Sequence, residues 1–265
     1  MERRKFLESS LAASAMAVAT SGNLLAGQET SNAQSPEYYQ LRTYHLISSQ
    51  ARLVNRYLRD ALIPALNRLH IGPVGVFNQT IGAESPAIRV LMPSGSAESL
   101  LNVEYSLMQD REYTKAAAEF LDAPDKSPAM LWIDSQMMRA FTTHPKLTVP
   151  TSTKSPRVFE LRTYESTSIQ DHLRKIEMMK SGEAAVFAES GFWQVFYSDT
   201  LVGRRQPNLT YMVGFPSLAD RDKAWAAFFS SPGWKKLTSN PRFNFEAIVT
   251  NITNLIITPT NYSQI

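Results

Sequence analysis

Six residues of alternating character, Tyr39-Gln40-Leu41-Arg42-Thr43-Tyr44, return 120 residues later as Phe159-Glu160-Leu161-Arg162-Thr163-Tyr164. Such alternation predicts a β-strand whose odd and even positions face opposite ways. After each strand the period lengthens to that of a helix. Val54, Tyr57, Leu58, Ala61, Leu62, Ala65, Leu66 and Leu69 share one helical face in the first copy, and Ile169, Leu173, Ile176, Met179, Val186 and Phe187 share one in the second. Both helices stop at a glycine, in His70-Ile71-Gly72-Pro73 and in Glu189-Ser190-Gly191, and strands follow over 74–81 and 192–201. Further strands are predicted over 88–92 and 209–215. Helical segments carrying Leu100, Leu101 and Leu107, or Trp225, Phe228 and Phe229, come next, and strands over 132–142 and 243–258 close the two copies. Ser217 with Asp220 reads as a helix N-cap with an acid at the third helical position. Pro64 removes a backbone hydrogen bond and predicts a kink near Ile63, and Gly182 weakens the second helix at a similar depth.

Each copy therefore reads β-α-β-β-α-β, the ferredoxin-like order. The predicted fold class is α+β, with two tandem ferredoxin-like domains over 38–145 and 157–260 and a linker rich in Pro, Thr, Ser and Lys over 146–156. Helices on one face of each sheet leave the other face bare, so the two sheets are expected to pack on one another.

Residues 1–34 follow a different pattern. Arg3, Arg4 and Lys5 are followed by Phe6 and Leu7, and from Ser9 to Gln28 there is no charge. The run is too rich in Ala, Ser and Thr for a membrane span and reads as a cleaved export signal followed by a disordered spacer. Arg3, Arg4, Phe6 and Leu7 resemble the twin-arginine signal, which implies export of a folded chain to the bacterial periplasm or beyond.

Composition narrows the function by exclusion. The chain has 265 residues, no cysteine and a net charge of +3. Thiolate chemistry is excluded, and the positive excess is too small to indicate nucleic acid. The histidines, His45, His70, His144 and His172, have no metal-ligand spacing, so no metal and no cofactor is expected, and surface or helix-end roles fit them. There is no phosphate loop, no nucleophile elbow and no triad.

The polar faces of the repeated strands carry the candidate site: Arg42 and Tyr44 in the first copy, Glu160, Arg162 and Tyr164 in the second, with His45 just beyond the first motif. Two readings stand. Glu160 can pair with Arg162 or Arg42 inside a barrel, because buried charge must be paired. Alternatively, the Arg and Tyr groups line a cleft for an anionic or aromatic small molecule.

The Leu-Arg-Thr-Tyr strand, Ile63-Pro64-Ala65-Leu66 and Gly72-Pro73-Val74-Gly75-Val76-Phe77 resemble the NIPSNAP domain, and the second half is similar to a more diverged copy. The resemblance implies a dimeric α/β barrel completed within one chain, and brings no catalytic motif. The expectation is an exported module that binds a small ligand or an envelope protein, with no span in the mature chain and with homo-oligomerisation open to it. The alternative is a cofactor-independent oxygenase or isomerase with a pocket between sheet and helices.

Overall fold

The structure, a computed structural model, describes residues 35–83, 85–152 and 156–265. The candidate export signal, with Arg3, Arg4, Phe6 and Leu7, lies outside the described residues. Strand β1 (Tyr38–His45) leads into α1 (Ala51–Tyr57) and α2 (Ile63–Arg68), joined through a wide π-type turn at Leu58–Leu62. Strands β2 (Gly75–Ile81) and β3 (Ala87–Ser94) follow, then α3 (Ala97–Leu101), α4 (Val103–Gln109), α5 (Arg111–Leu121) and β4 (Trp132–Ala140). The order then recurs. Strand β5 (Val158–Glu165) precedes α6 (Ile169–Met178), a second wide turn at Met179–Glu183, α7 (Ala184–Glu189), β6 (Trp193–Val202) and β7 (Asn208–Phe215). The chain continues through α8 (Leu218–Ser230), α9 (Pro232–Thr238), α10 (Phe245–Ile248) and β8 (Asn251–Pro259).

The eight antiparallel strands close into one barrel in the order β1-β3-β2-β8-β5-β7-β6-β4. The fold is thus mixed α/β around a closed antiparallel barrel. Edge pairing joins the halves: β2 pairs with β8 through Phe77 and Pro259, and β4 with β6 through Ala140 and Ser198. The expected contact between two sheets takes this form because closure satisfies the backbone groups that open edges would leave bare.

Odd positions of the repeated strands face inward. Tyr39, Leu41, Phe77 and Leu91 meet Phe159, Leu161, Phe196 and Ile257 in one buried cluster, which Ile265 completes. Even positions face the helices, where Tyr44 and Tyr164 belong to two separate clusters, one for each half.

Three expectations need correction. The last strand is shorter than 243–258, because 241–248 forms a 3-10 turn and α10, and Phe243 and Ile248 pack among helical residues. An apolar run alone does not distinguish a strand from a buried helical turn. On α6, Ile169 and Leu173 are exposed, whereas His172, Lys175, Ile176 and Met178 are buried. Phe229 also faces solvent. By contrast, the N-cap forms as expected: the Asp220 N–H donates to Ser217 Oγ at 3.2 Å. No helix among the described residues is long and apolar enough to cross a membrane.

Candidate functional site

The six candidate residues fall into three places. Arg42 and Tyr44 sit on the outer wall of the first half, Glu160, Arg162 and Tyr164 on the outer wall of the second, and His45 at the rim of the barrel. None of the Arg or Glu candidates projects into the barrel interior, so the ion pair expected there lies between wall and helices instead.

In the second half the group is closed. Glu160 is fully buried and accepts hydrogen bonds from Arg162 Nη1 at 2.5 Å, from Arg221 Nε and Nη2 at 2.7 and 2.9 Å, and from Trp225 Nε1 at 2.8 Å. The Arg162 guanidinium lies 4.6 Å from the centre of the Trp225 ring, and its Nε donates to Tyr164 Oη at 3.2 Å. Burial alone would raise the Glu160 carboxyl, but hydrogen bonding from Arg221 and the charge of Arg162 outweigh it and hold it below the ordinary carboxylate range. Close by, the buried Lys175 ammonium pairs with Glu183 across the wide turn and sits 4.7 Å from the Phe245 ring centre. Burial pulls the Lys175 ammonium down against the pull of Glu183.

The first half is built differently on the same plan. Gln40 stands where Glu160 does, so the strand supplies no carboxylate. Arg42 donates to the Gln40 side-chain oxygen from Nε at 3.1 Å and from Nη2 at 3.0 Å. Its counter-charge comes from Glu104 on α4, whose side chain is 58% exposed while that of Arg42 is 6% exposed. Counting from the helix N-caps Ser96 and Ser217, Leu100 stands for Arg221 and Glu104 for Trp225. Trp225 is buried over its arginine, whereas Glu104 meets Arg42 from the surface. A cavity of about 300 Å³ lies over Arg42, lined by Gln40, Leu100, Leu101, Val103, Glu104 and Ile133 among others. Beneath it, the Tyr57 and Tyr113 hydroxyls are 3.0 Å apart. Burial raises the Tyr44, Tyr57 and Tyr113 hydroxyls, so these groups keep their protons. Burial works against the Arg42 charge, but Tyr44 and Glu104 outweigh it and hold the guanidinium above its ordinary value. The cavity thus offers a fixed cation beside an apolar wall.

His45 is buried, with Nε2 3.0 Å from Asp134 Oδ2 and its ring stacked on Trp132 at 4.4 Å. Asp134 also accepts from Arg204 at 3.1 Å and helps line a second cavity, of about 280 Å³, at the barrel mouth. Thr43, Gln136, Thr163 and Thr253 ring this mouth above Leu41, Leu161 and Leu255. His172 is also buried, with Nε2 2.8 Å from Asp199. The surface or helix-end role expected of the histidines therefore fails for His45, in the wall, and His172, on α6, each held by a carboxylate. Among the described residues, no group of three or more His, Asp or Glu could hold a metal ion.

Glu104, Arg221, Lys175 and Glu183 were not singled out by sequence patterning, and Trp225 was read only as a residue of its helix. The one signal available for Lys175 was its place one turn from His172 on a helix whose apolar stripe is thin.

Fold and site define a single-chain α/β barrel with an arginine-centred cavity against one half of its outer wall. The NIPSNAP family model matches residues 159–264, the half whose sequence looked the more diverged. None of the curated proteins compared with the chain matches it. Among solved structures, a candidate monooxygenase from Lactobacillus acidophilus is similar over 85% of this chain and 94% of its own, at 8% identity and a TM-score of 0.56. An anthrone oxidase-like protein is similar over 86% and 93%, at 11% identity and a TM-score of 0.50. A NIPSNAP-like domain protein from Burkholderia xenovorans aligns with 40% of this chain and 88% of its own, at 19% identity and a TM-score of 0.36.

Proposed function

We propose that the protein is an exported binding module that holds a small molecule in the cavity over Arg42. One observation carries this reading: the same wall position is filled by protein in the second half, whereas in the first half it borders a cavity of about 300 Å³, within the range of small-molecule sites. On this reading Arg42 and Tyr44 serve the ligand, while Glu160, Arg162 and Tyr164 form a structural ion-pair network.

The chain is further read as two tandem ferredoxin-like domains, 38–145 and 157–260. In support, the strands run β4-β1-β3-β2 in one half and β8-β5-β7-β6 in the other. Export rests on the leader alone, and the test is direct. Changing Arg3 and Arg4 together to Lys is expected to retain the protein in the cytoplasm in cell fractionation; undiminished appearance outside it would contradict the twin-arginine reading.

Binding is favoured over cofactor-independent oxygenation or isomerisation. Such chemistry needs a base poised near neutral pH, and the hydroxyls beneath the cavity are shifted the other way. The likeness to oxygenase-type structures is at the level of fold.

Native mass spectrometry of the protein isolated from its own cells tests the function. The wild type is expected to carry a small-molecule adduct. Leu101→Trp, at an exposed position lining the cavity, is expected to lose it while remaining folded. A wild-type spectrum without an adduct, or an adduct retained unchanged in the variant, would overturn the reading.

A further inference from the structure

We infer that the ligand of the Arg42 cavity is a small aromatic carboxylate, and that Glu104 is a tethered competitor which the ligand displaces. This rests on the binding function proposed above and goes further, by naming the chemistry of the occupant.

The second half shows what completes an arginine at this wall position. Arg162 has a carboxylate, Glu160, in its hydrogen-bonding plane and an indole, Trp225, 4.6 Å away over its face. Both complete a guanidinium in ways suited to its chemistry: charge-assisted hydrogen bonds in the plane, and a cation–π contact above it. In the first half neither group comes from the equivalent position: position 40 is Gln, and position 104, which the N-caps Ser96 and Ser217 place opposite Trp225, is Glu. A flat aromatic acid set over Arg42 would supply both groups in one molecule.

The walls suit such an occupant. Leu100, Leu101, Val103 and Ile133 give an apolar surface for a ring, and Leu101 and Ile133 are exposed at its edge. Exposed Tyr105 and Met108 extend the apolar surface along α4. An inorganic anion would satisfy Arg42 and leave this surface wet, whereas an uncharged aromatic would bury the surface and gain a cation–π contact but supply no charge-assisted hydrogen bond.

Glu104 explains how Arg42 is held in the absence of ligand. A buried guanidinium without a counter-charge is costly, and Glu104 reaches it from a surface position. A carboxylate at the surface end of such a pair is replaceable at small cost, because its own side chain returns to water. Glu160 is not replaceable in this way, since it is fully buried and held by Arg162, Arg221 and Trp225.

The test is isothermal titration of the full mature chain with indole-3-acetate as the probe, alongside its alcohol analogue indole-3-ethanol, octanoate and sulfate. The wild type is expected to bind indole-3-acetate at least tenfold more tightly than any of the other three. Glu104→Gln, a change at an exposed side chain, is expected to tighten indole-3-acetate about tenfold and leave indole-3-ethanol unchanged. Arg42→Gln is expected to abolish the difference between acid and alcohol. Arg42→Lys, which keeps the charge and loses the planar fork, is expected to lie between wild type and Gln, so the inference stays testable if Arg42→Gln fails to fold. Equal binding of acid and alcohol, octanoate binding as tightly as the aromatic acid, or weaker acid binding by Glu104→Gln would each overturn it. If native mass spectrometry instead finds an adduct without a carboxyl group that Leu101→Trp abolishes, the binding function stands and this inference falls.

Discussion

Lys175 and Glu183 face one another with side chains 0% and 1% exposed, in a shell formed by Tyr164, Phe245 and Met178. Desolvating two charges consumes most of what their attraction returns, so the pair adds little net stability, yet either member alone is an uncompensated buried charge. Lys175→Met is therefore expected to cost about 3–5 kcal/mol, and Lys175→Met with Glu183→Met is expected to recover most of that loss. Urea denaturation of both variants checks this; a double variant as unstable as the single one would show that the pair is not coupled. The pair also marks a limit of sequence reading. A lysine in a helix reads as solvent-facing, and nothing within one turn of Lys175 announces its partner, which lies eight residues on, across the wide turn. Arg42, Tyr44, Glu160, Arg162 and Tyr164 were legible because strand alternation is local. Glu104, Arg221 and Trp225 were not, because they reach the wall from 61 to 65 residues away.

At the level of elements, the repeated strands and the helix stops were legible because period and stop signals are written in neighbouring residues, although the left-handed residue is Gly191 in the second half and His70, not Gly72, in the first. The break in the helices was only half legible. Both halves carry a wide turn closed by an i to i−5 hydrogen bond, from the Ile63 N–H to the Leu58 carbonyl and from the Ala184 N–H to the Met179 carbonyl. Pro64 marks the first and Gly182 the second, two unrelated residues at the same depth of the two halves. Such turns change which side chains a helix presents beyond them. In the first half the turn itself buries Leu58, Ala61 and Leu62; in the second it buries Met179 and Glu183, the acid that Lys175 requires. The α6 face was misread for another reason: its buried side carries paired polar groups, His172 with Asp199 and Lys175 with Glu183, beside the apolar Ile176 and Met178.

For the whole molecule, closure of the barrel is what turns a repeat into an asymmetric device. Edge pairing of β2 with β8 and of β4 with β6 fixes both halves in one wall, so that equivalent strand positions can diverge without either half losing its support. One half has become a filled structural cluster around Glu160, and the other keeps a cavity beside Arg42. Sequence reading found the two arginines and left the choice between ion pair and pocket open for both; Arg162 lies in a buried ion-pair cluster, and Arg42, paired with Glu104, also borders a cavity. The measurement that bears most directly on this division is a crystal structure of the protein grown with indole-3-acetate. The account predicts the carboxylate against Arg42 beneath α3 and α4, Glu104 turned away into solvent, and the Glu160–Arg221–Trp225 cluster unchanged. A ligand bound at Arg162 or in the barrel mouth, with the Arg42–Glu104 pair intact, would contradict it.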